Sequence, residues 1–278
     1  MIESGTLFIV ATPIGNLEDI THRALRILAE VDLIAAEDTR HSQRLLQHYS
    51  ISTRLISLHD HNEAQRAKQL IEKLHVGQNI ALISDAGTPL ISDPGYGLVK
   101  ECRAANIKVV PLPGPCAVIA ALCAAGLATD KFKFEGFLPV KAVAKQQALQ
   151  ALQTETSTSV FYESPRRIVD TVKQIVVELG AEREMVLAKE LTKTFETFYS
   201  GTAQDCLSWL EADENHQRGE FVLMIAGEKP NQSDVSAEAI SLLKILMQEL
   251  PLKKAAAVTA EQYRLKKNKL YQLGLELQ

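Results

Sequence analysis

The chain has 278 residues, of which 46% are hydrophobic and 23% charged, and its net charge is −4. This composition is typical of a globular protein with a substantial core, and it excludes a chain that coats nucleic acid through overall positive charge. The charge is uneven, because residues 251–278 carry six basic and two acidic side chains and the rest sums to −8. A basic end on an acidic body predicts a separate module with its own partner; a solvated helical face is the alternative.

The cysteines and histidines argue against a metal site. The four cysteines form no CxxC pair, and the seven histidines show no HExxH or HxxxH spacing. A chain of this length without a disulfide framework fits a reducing compartment. The longest apolar run, Ala117–Ala128, is too short to span a bilayer, and no basic region precedes an apolar run at the start. We therefore expect a cytoplasmic protein with no metal, no secretion signal and no membrane segment.

The first half of the chain alternates strand and helix patterns. Leu7–Ala11 is a continuous apolar run typical of a strand buried on both faces, and Ile20–Val31 places its apolar residues on one helical face. Further strands are predicted at 33–36, 54–57, 80–84 and 108–112, each followed by a helix. This alternation predicts a mostly parallel sheet covered on both faces, in an α/β lobe over residues 1–128.

A second set of elements begins after residue 128. Strand patterns lie at 134–137, 157–163, 185–191, 194–200 and 220–227, with helix patterns near 142–152, 167–179 and 206–210. Only Thr192 and Lys193 separate two of these strands, so we expect an antiparallel hairpin and a mixed sheet in a second α/β lobe over 129–229. A polar linker at 229–233 leads to three helix patterns, which predict a small basic helical module over 233–278.

Three loops rich in small residues follow strands of the first lobe. They are Ala11–Asn16, Ser84–Pro89 and Pro111–Ala117. Each alone is better explained as a tight strand-to-helix turn. Because the carboxyl ends of parallel strands meet at the edge where α/β proteins bind ligands, the three together favour a ligand site. The chain has no P-loop, no GxSxG elbow and no GxGxxG after its first strand, so these familiar sites are excluded.

These loops belong to a set of motifs that runs through most of the chain. The motifs are ATPIGNLEDIT (11–21), AAEDTR (35–40), LISDAGTPLISDPG (82–95), PLPGPCA (111–117), EGFLP (135–139), FYESPRR (161–167), AKELTK (188–193) and GEFVLMIAG (219–227). In this order the set resembles the tetrapyrrole methylase superfamily, and within it the branch that methylates ribosomal RNA of the small subunit. TPIGNLED stands where the wider superfamily has a Gly-rich loop, which argues against a porphyrin substrate.

The resemblance implies a class III (tetrapyrrole methylase-like) methyltransferase with two α/β lobes, a cleft between them that binds S-adenosylmethionine, and a homodimer. It implies 2′-O-methylation of a cytidine ribose in the decoding region of 16S ribosomal RNA, with a small-subunit particle as the partner. The alternatives are a tetrapyrrole or protein methyltransferase of the same superfamily, and a catalytically silent RNA-binding relative.

The resemblance also assigns residues to the cofactor pocket. They are Pro13, Asp85, Gly87, Thr88, Cys116, Ala117, Tyr162 and Ala226. Asp85 is the main polar contact expected, with a turn or cap as the alternative. For Cys116 an inert buried thiol is the alternative. Asp93, which precedes Pro94, is expected to serve in a turn instead.

Methyl transfer to a ribose hydroxyl needs a proton acceptor and a positioned RNA strand. Asp38 and Glu190 are the candidate general bases, and the sequence does not choose between them. Arg40 either contacts RNA or forms an ion pair that caps the next helix. The other candidate RNA contacts are Arg166, Arg167, Lys189, Lys266, Lys267 and Lys269. Cations are disfavoured at a helix N-terminus, so an RNA phosphate would explain Arg166 and Arg167. The last three lysines begin the second helix of a predicted helix-turn-helix pair.

Overall fold

The computed structural model describes residues 4–228, 235–263 and 265–277. The chain divides into two compact units, Met1–Gly227 and Glu228–Gln278. The predicted linker at 229–233, the start of the predicted helical module and Arg264 lie outside the described residues. The domain limits drawn from the sequence stay predictions.

The first sheet consists of five parallel strands. They are β1 (Thr6–Val10), β2 (Leu33–Ala36), β3 (Leu55–Ser57), β4 (Ile80–Ile83) and β5 (Lys108–Leu112). Their order across the sheet is β3-β2-β4-β1-β5. The fully buried runs β2 and β4 lie inside the sheet. Pro111, which has no backbone N–H to donate, lies in the edge strand β5, where a strand tolerates proline.

Helices cover both faces of this sheet, as predicted. They are α1 (His22–Glu30), α2 (Thr39–His48), α3 (Glu63–His75) and α4 (Tyr96–Ala104), and a fifth helix, α5 (Ala117–Ala125), follows β5 along the chain. Leu70 of α3 and Leu98 of α4 belong to the core on one face, and Leu28 of α1 and Leu46 of α2 to the core on the other. All four leucines are at most 1% exposed. The predicted α/β fold class is confirmed.

The second sheet is mixed, as the sequence predicted. Its strands are β6 (Phe132–Phe137), β7 (Thr158–Glu163), β8 (Glu184–Lys189), β9 (Thr197–Thr202) and β10 (Phe221–Ile225), in the order β6-β7-β10-β8-β9. Only β6 and β7 are parallel; the other neighbours are antiparallel. The helices of this lobe are α6 (Ala142–Gln150), α7 (Ile168–Leu179) and α8 (Ala203–Ala212), and they share a core with one face of the sheet.

Two details of this lobe differ from the sequence-based expectation. The β8–β9 hairpin is antiparallel, but its loop spans residues 190–196, because the backbone turns at Glu190 and Thr192, both in the left-handed region. Helix α5 follows the first sheet yet shares a core with the second, where its Val118 and Leu122 belong to one cluster with Val222 of β10. The apolar sequence AVIAALCAA has no polar face, so its pattern does not indicate which sheet it covers.

The described residues of the C-terminal unit form three helices, α9 (Ala237–Glu249), α10 (Leu252–Tyr263) and α11 (Lys267–Glu276). Leu243, Ala255 and Leu270 are fully buried in its small core. A side chain at Gly274 would place its Cβ 2.2 Å from the Leu252 side chain, so α10 and α11 pack closely at this point. Among the helices of the described residues, none is long and apolar enough to cross a membrane.

Candidate functional site

A cavity of about 390 Å³ lies where the carboxyl end of the first sheet meets the second lobe. The first lobe contributes Ile14, Gly87, Thr88, Asp93, Cys116 and Ala117. The second lobe contributes Phe137, Tyr162, Glu163, Leu191, Glu220 and Val222. We call this space the main cavity. It combines small and apolar side chains with three carboxylates, a lining that suits an organic ligand carrying positive charge.

Backbone and side-chain hydrogen bonds tie the three small-residue loops together at this cavity. Thr12 and Gly87 exchange both backbone hydrogen bonds at 2.9 Å, which joins the loops after β1 and β4. The Thr88 hydroxyl donates to the Pro115 carbonyl at 2.9 Å, which joins the loops after β4 and β5. The structure therefore brings together the three loops that the sequence predicted would share a site.

The loop after β4 has an unusual backbone. Leu90 and Ser92 have φ values of 74° and 69°, in the left-handed region that L-residues other than Asn and Asp rarely adopt. Gly95 has φ 121°, and a side chain there would place its Cβ 2.7 Å from Leu82. Such strain persists only where the surrounding structure enforces it, and it clusters at ligand sites. Between Leu90 and Gly95 this loop carries Asp93 to the cavity wall.

Acidic side chains gather along the same edge of the first sheet. Burial raises the pKa of Asp93, and nearby Asp85 raises it further against a lowering hydrogen bond from Ser84. Burial also raises the pKa of Glu37, with repulsion from Asp85 and Asp93 adding to the effect. Each carboxylate here disfavours the charged form of its neighbours. A cationic ligand would relieve this repulsion.

Tyr162 forms part of an aromatic wall in the second lobe. Its ring packs edge-on to Phe134 and Phe137, at centroid distances of 4.9 and 5.7 Å. The Tyr162 side chain, with its hydroxyl, packs against the cluster that includes Val118 in the first turn of α5. Burial, with smaller contributions from Cys116 and Asp93, raises the pKa of this hydroxyl, so it stays neutral at physiological pH.

Glu163 is a buried carboxylate at the cavity wall whose oxygens are already engaged. One oxygen lies 3.3 Å from Nε of Arg167, and the other accepts a 2.8 Å hydrogen bond from Thr171. Arg167 also donates to the carbonyl of Leu138 at 2.6 Å. The cation at the N-cap of α7 thus has internal partners that account for it without an RNA phosphate, and contact of Arg167 with RNA stays a prediction. Arg166 is exposed and, within the described residues, has no hydrogen bond or ion pair for its side chain.

The structure places the candidate base Asp38 as a helix cap. Its carboxylate accepts the backbone N–H of Arg40 at 2.8 Å, and Arg40 also lies within 3.6 Å of it as an ion pair. These donors hold the pKa of Asp38 below its ordinary value. Asp85 in turn accepts the backbone N–H of Asp38 at 3.0 Å. The capping alternative for Asp38 and Arg40 is therefore what the structure shows.

The other candidate base, Glu190, lies outside the main cavity. Its carboxylate accepts from Lys193 Nζ and from the backbone N–H of Glu220, both at 2.9 Å. Burial would raise the pKa of Glu190, but these donors outweigh burial and lower it. A side chain at Gly219 would place its Cβ 2.4 Å from the Glu190 side chain, so the two strands' ends are closely packed here.

Five of the eight predicted pocket residues line the main cavity. They are Gly87, Thr88, Cys116, Ala117 and Tyr162. Pro13 and Asp85 adjoin the lining without being part of it. Ala226 does not line the main cavity and its contact with the cofactor stays a prediction: it follows the carboxyl end of β10, whereas the cavity meets the start of β10 at Glu220–Val222. The motif GEFVLMIAG approaches the cavity from its first residues because β10 runs antiparallel to β7.

Sequence reasoning missed several lining residues. Asp93 was assigned to a turn although it sits in the second copy of the Ile-Ser-Asp pattern at 83–85 and 91–93, a signal that it shares with Asp85. Glu163 lies inside the quoted motif FYESPRR, but a carboxylate that ends a strand gives no sign that it will be buried. Phe137 and Glu220 come to the cavity only through the packing of the two lobes.

No cluster of three or more His, Cys, Asp or Glu side chains in the described residues is arranged to hold a metal ion.

We expect methyl transfer to continue after dialysis against EDTA, measured with labelled donor in magnesium-free buffer on RNA folded beforehand. Loss of transfer that a single divalent ion restores would contradict this expectation. Recovery by polyamines instead would trace the loss to the RNA.

Solved structures of the same architecture define the class of the fold. The chain resembles cobalt precorrin-4 methyltransferase (TM-score 0.58, 17% identity, 79% of this chain and 94% of that one) and a diphthine synthase (0.61, 13%, 81% and 91%). It also resembles uroporphyrin-III-C-methyltransferase from Thermus thermophilus, with a TM-score of 0.55 and 19% identity over 80% of this chain and 94% of that one. At these identities the likeness shows the fold alone, which is the two-lobed α/β fold of class III methyltransferases.

Sequence comparisons narrow this class. Residues 6–206 match the family Tetrapyrrole (Corrin/Porphyrin) Methylases, and residues 233–278 match the RsmI C-terminal HTH domain. Proteins named Ribosomal RNA small subunit methyltransferase I are 57% identical in Escherichia coli O157:H7 (99% of this chain, 96% of the relative) and 52% identical in Pseudomonas aeruginosa (100% and 99%). The chain belongs to the tetrapyrrole methylase family and, within it, to the ribosomal RNA small subunit methyltransferase I group. It is a methyltransferase whose methyl donor is S-adenosylmethionine.

Proposed function

We propose that this protein transfers a methyl group from S-adenosylmethionine to the 2′-oxygen of a cytidine ribose in the decoding region of 16S ribosomal RNA. The main cavity carries the proposal. It is a cleft with carboxylates, built by both lobes, in a chain that matches named ribosomal RNA methyltransferases over nearly its whole length. The loop TPIGNLED in place of a Gly-rich loop supports RNA over a tetrapyrrole.

The residues of the main cavity fit the methyl donor. S-adenosylmethionine carries positive charge at its sulfur and at its amino group, and the carboxylates at the cavity, Asp93 above all, oppose that charge. The small residues Gly87 and Ala117 leave backbone groups accessible, while Ile14 and Leu191 offer apolar surface to the uncharged parts of the donor. We assign donor binding to the main cavity on this basis, and we keep Pro13 and Asp85 as adjoining contacts.

The cofactor supplies a methyl group on a positively charged sulfur, which leaves as a neutral thioether when an oxygen displaces it. The protein's task is to hold the ribose hydroxyl in line with that carbon and to exclude water. Positioning of this kind contributes up to about 7–11 kcal/mol to lowering a barrier. The rigid, hydrogen-bonded loops at Thr12–Gly87 and Thr88–Pro115 are suited to hold the donor in one orientation.

The two residues that the sequence suggested as general base, Asp38 and Glu190, have structural roles here. Asp38 caps α2, and Glu190 accepts from Lys193 and Glu220. A carboxylate whose pKa is lowered by such donors is a weak proton acceptor. We therefore propose that Asp38 and Glu190 shape the loops around the site.

The C-terminal unit is proposed to contribute RNA affinity. Lys266 is the N-cap of α11, and Lys267 and Lys269 lie in its first turn. Lys266 and Lys267 are exposed, and the first turn contains no acidic residue. Backbone N–H groups at a helix N-terminus favour phosphate, and three lysines strengthen that preference. Arg166 is proposed as a further RNA contact, and the protein is proposed to act as a cytoplasmic homodimer.

The function is tested by incubating the purified protein with labelled S-adenosylmethionine and small ribosomal subunits from a strain that lacks the corresponding enzyme. We expect one new 2′-O-methyl group on a cytidine in the decoding region, located by resistance of the following bond to alkaline hydrolysis. Donor binding without transfer to free RNA or to subunits would point to a silent relative. Methylation of a corrinoid or porphyrin, with none of RNA, would point to the tetrapyrrole alternative.

Two substitutions at Asp85 separate a cofactor contact from a purely structural role. Asp85→Asn keeps an acceptor for the backbone N–H of Asp38 and removes only the charge, whereas Asp85→Ala removes both. A lost charge-assisted hydrogen bond costs about 1.5–3 kcal/mol, so we expect both variants to lose roughly 10- to 150-fold in donor affinity by calorimetry. Wild-type donor affinity in Asp85→Asn would show that Asp85 serves only to hold the loop after β4 to the backbone of Asp38.

A further inference from the structure

A second cavity, of about 640 Å³, lies beyond the ends of β8 and β10 in the second lobe. Its lining includes Lys189, Glu190, Phe195, His216, Arg218 and Gly219. We call it the side cavity. Of its lining residues, the sequence singled out Lys189 as an RNA contact and Glu190 as a candidate general base.

The acidic groups of the side cavity are already paired with donors. Glu190 accepts from Lys193 and from the backbone of Glu220. Glu196 accepts the backbone N–H of Thr192 at 2.6 Å, and Asp213 accepts that of Asn215 at 2.8 Å. None of these carboxylates is left to neutralise a cation at the cavity floor.

The two cations that line the cavity, Lys189 and Arg218, have in contrast no hydrogen bond or ion pair to a described residue. Lys189 is only 8% exposed, yet its ammonium group makes no hydrogen bond and no ion pair within 4 Å to any described residue. Its charge acts on Glu190 from more than 4 Å and helps to lower the pKa of that carboxyl. Arg218 is exposed at the same cavity, and its guanidinium likewise has no ion pair in the described part of the chain. Solvent reaches the Lys189 ammonium group, and both cations are therefore available to an anion that enters the cavity.

Aromatic groups stand beside these cations. Phe195 is 75% exposed on the hairpin loop, which is unusual for so large an apolar side chain. His216 lines the cavity with its ring stacked on Trp209 at a centroid distance of 4.1 Å, so its orientation is fixed. An exposed aromatic face near free cations is the combination that binds single-stranded nucleic acid, where bases stack and phosphates pair with cations.

The side cavity is adjacent to the main cavity. Lys193 Nζ lies 2.9 Å from Glu190, at the side cavity, and 2.8 Å from Glu220, at the main cavity. The two spaces therefore share a wall made of this three-residue bridge. A strand with one nucleotide at the main cavity has its neighbours within reach of the side cavity.

We infer that the side cavity binds a nucleotide of the RNA strand next to the one that is methylated. Lys189 and Arg218 hold its phosphate, and its base stacks on Phe195. This inference rests on the proposed function, because it places part of the same RNA substrate. It gives the enzyme a means of selecting a single-stranded segment.

The test compares RNA binding by three variants, Arg218→Ala, Phe195→Ala and Lys189→Gln. A small-subunit ribosomal RNA fragment is titrated by fluorescence anisotropy at several salt concentrations, with the donor present. Arg218→Ala and Lys189→Gln should each reduce the slope of log K against log salt by about 0.7, the value for one phosphate contact on a single strand. Phe195→Ala should lower affinity by about 5- to 150-fold without changing the slope.

Matched controls are Arg103→Ala, which removes an exposed cation from α4, and Val177→Ala, which trims an exposed apolar side chain on α7. Both should bind RNA as the wild type does. Donor affinity, measured by calorimetry, reports whether each variant is folded. If Lys189→Gln, a substitution at a buried position, loses donor affinity, the result is taken from the two exposed variants, Arg218→Ala and Phe195→Ala. Wild-type affinity and slope in Arg218→Ala and Phe195→Ala, in a protein that still methylates RNA, would overturn this inference alone. A wild-type protein that neither binds nor methylates RNA would overturn the proposed function as well.

Discussion

Asp93→Asn is expected to weaken binding of S-adenosylmethionine by about 10- to 150-fold and, at neutral pH, to make the folded protein more stable. The binding loss follows because asparagine cannot oppose the donor's positive charge, and a hydrogen bond to a charged group contributes about 1.5–3 kcal/mol. The gain in stability follows because burial and the neighbouring Asp85 disfavour the ionised carboxylate of Asp93 in the folded state.

The pH dependence has a definite sign. The pKa of Asp93 is raised by folding, so the folded protein binds this proton more tightly than the unfolded chain does. The associated stability is present at low pH and is lost as the pH rises through the folded-state pKa, above the ordinary value of 3.8. The pKa of Glu37 is also raised, so its contribution to stability is likewise lost as the pH rises. The stability advantage of Asp93→Asn should therefore fade on acidification, while donor binding by the wild type weakens over the same interval.

Calorimetric titration and thermal unfolding between about pH 3 and pH 8 measure both effects, with Asp130→Asn as an exposed control just before β6. An Asp93→Asn protein that is more stable and binds the donor normally would restore the turn role that the sequence suggested for Asp93. Lower stability together with normal binding would exclude the electrostatic account of this residue.

The first lobe was predictable because its sequence signals are local. Continuous apolar runs such as Leu7–Ala11 indicate strands buried on both faces, and small residues after three of them indicate loops that approach a ligand. The helix limits differ by only a few residues from the pattern, as in α2, which begins at Thr39 because Asp38 caps it.

In the second lobe, the features that the sequence did not predict depend on contacts between residues far apart in the chain. The direction of β10 determines which end of GEFVLMIAG meets the cavity, and strand direction depends on pairing with β7 and β8, far away in sequence. That dependence is why the sequence pointed to Ala226, at the far end of the motif, and not to Glu220, which lines the cavity. Arg167 next to a helix start looked like a phosphate ligand because its actual partner, Glu163, is recognisable as buried only once the sheet is assembled.

Truncation after Pro230 is expected to leave donor affinity unchanged and to lower RNA affinity strongly. Every lining residue of the main cavity lies between Ile14 and Val222, within the unit that ends at Gly227. The removed segment carries six basic residues against two acidic ones after residue 250. If most of the six contact phosphate, the salt slope of log K should decrease by up to about 4, at about 0.7 for each contact on single-stranded RNA. An unchanged slope would make the C-terminal unit a structural cap.

Charge reversal on α11 tests the same assignment without removing the unit. Lys266, Lys267 and Lys269 stand at the N-terminus of this helix, where cations are disfavoured and acidic side chains stabilise by about 0.3–1 kcal/mol each. Reversal to glutamate should therefore raise the stability of the C-terminal unit while it lowers RNA affinity. A residue with a purely structural role would not move these two quantities in opposite directions.

Lys253 and Lys254 supply the matched control, because both are exposed in the first turn of α10 and their reversal brings the same helix-dipole benefit. If the second helix of the pair reads the RNA, reversal on α11 should cost much more RNA affinity and salt slope than reversal on α10. Equal losses from the two helices would show that the unit attracts RNA only through its total charge. Equal and wild-type binding in both would leave the two α/β lobes as the sole RNA-binding surface.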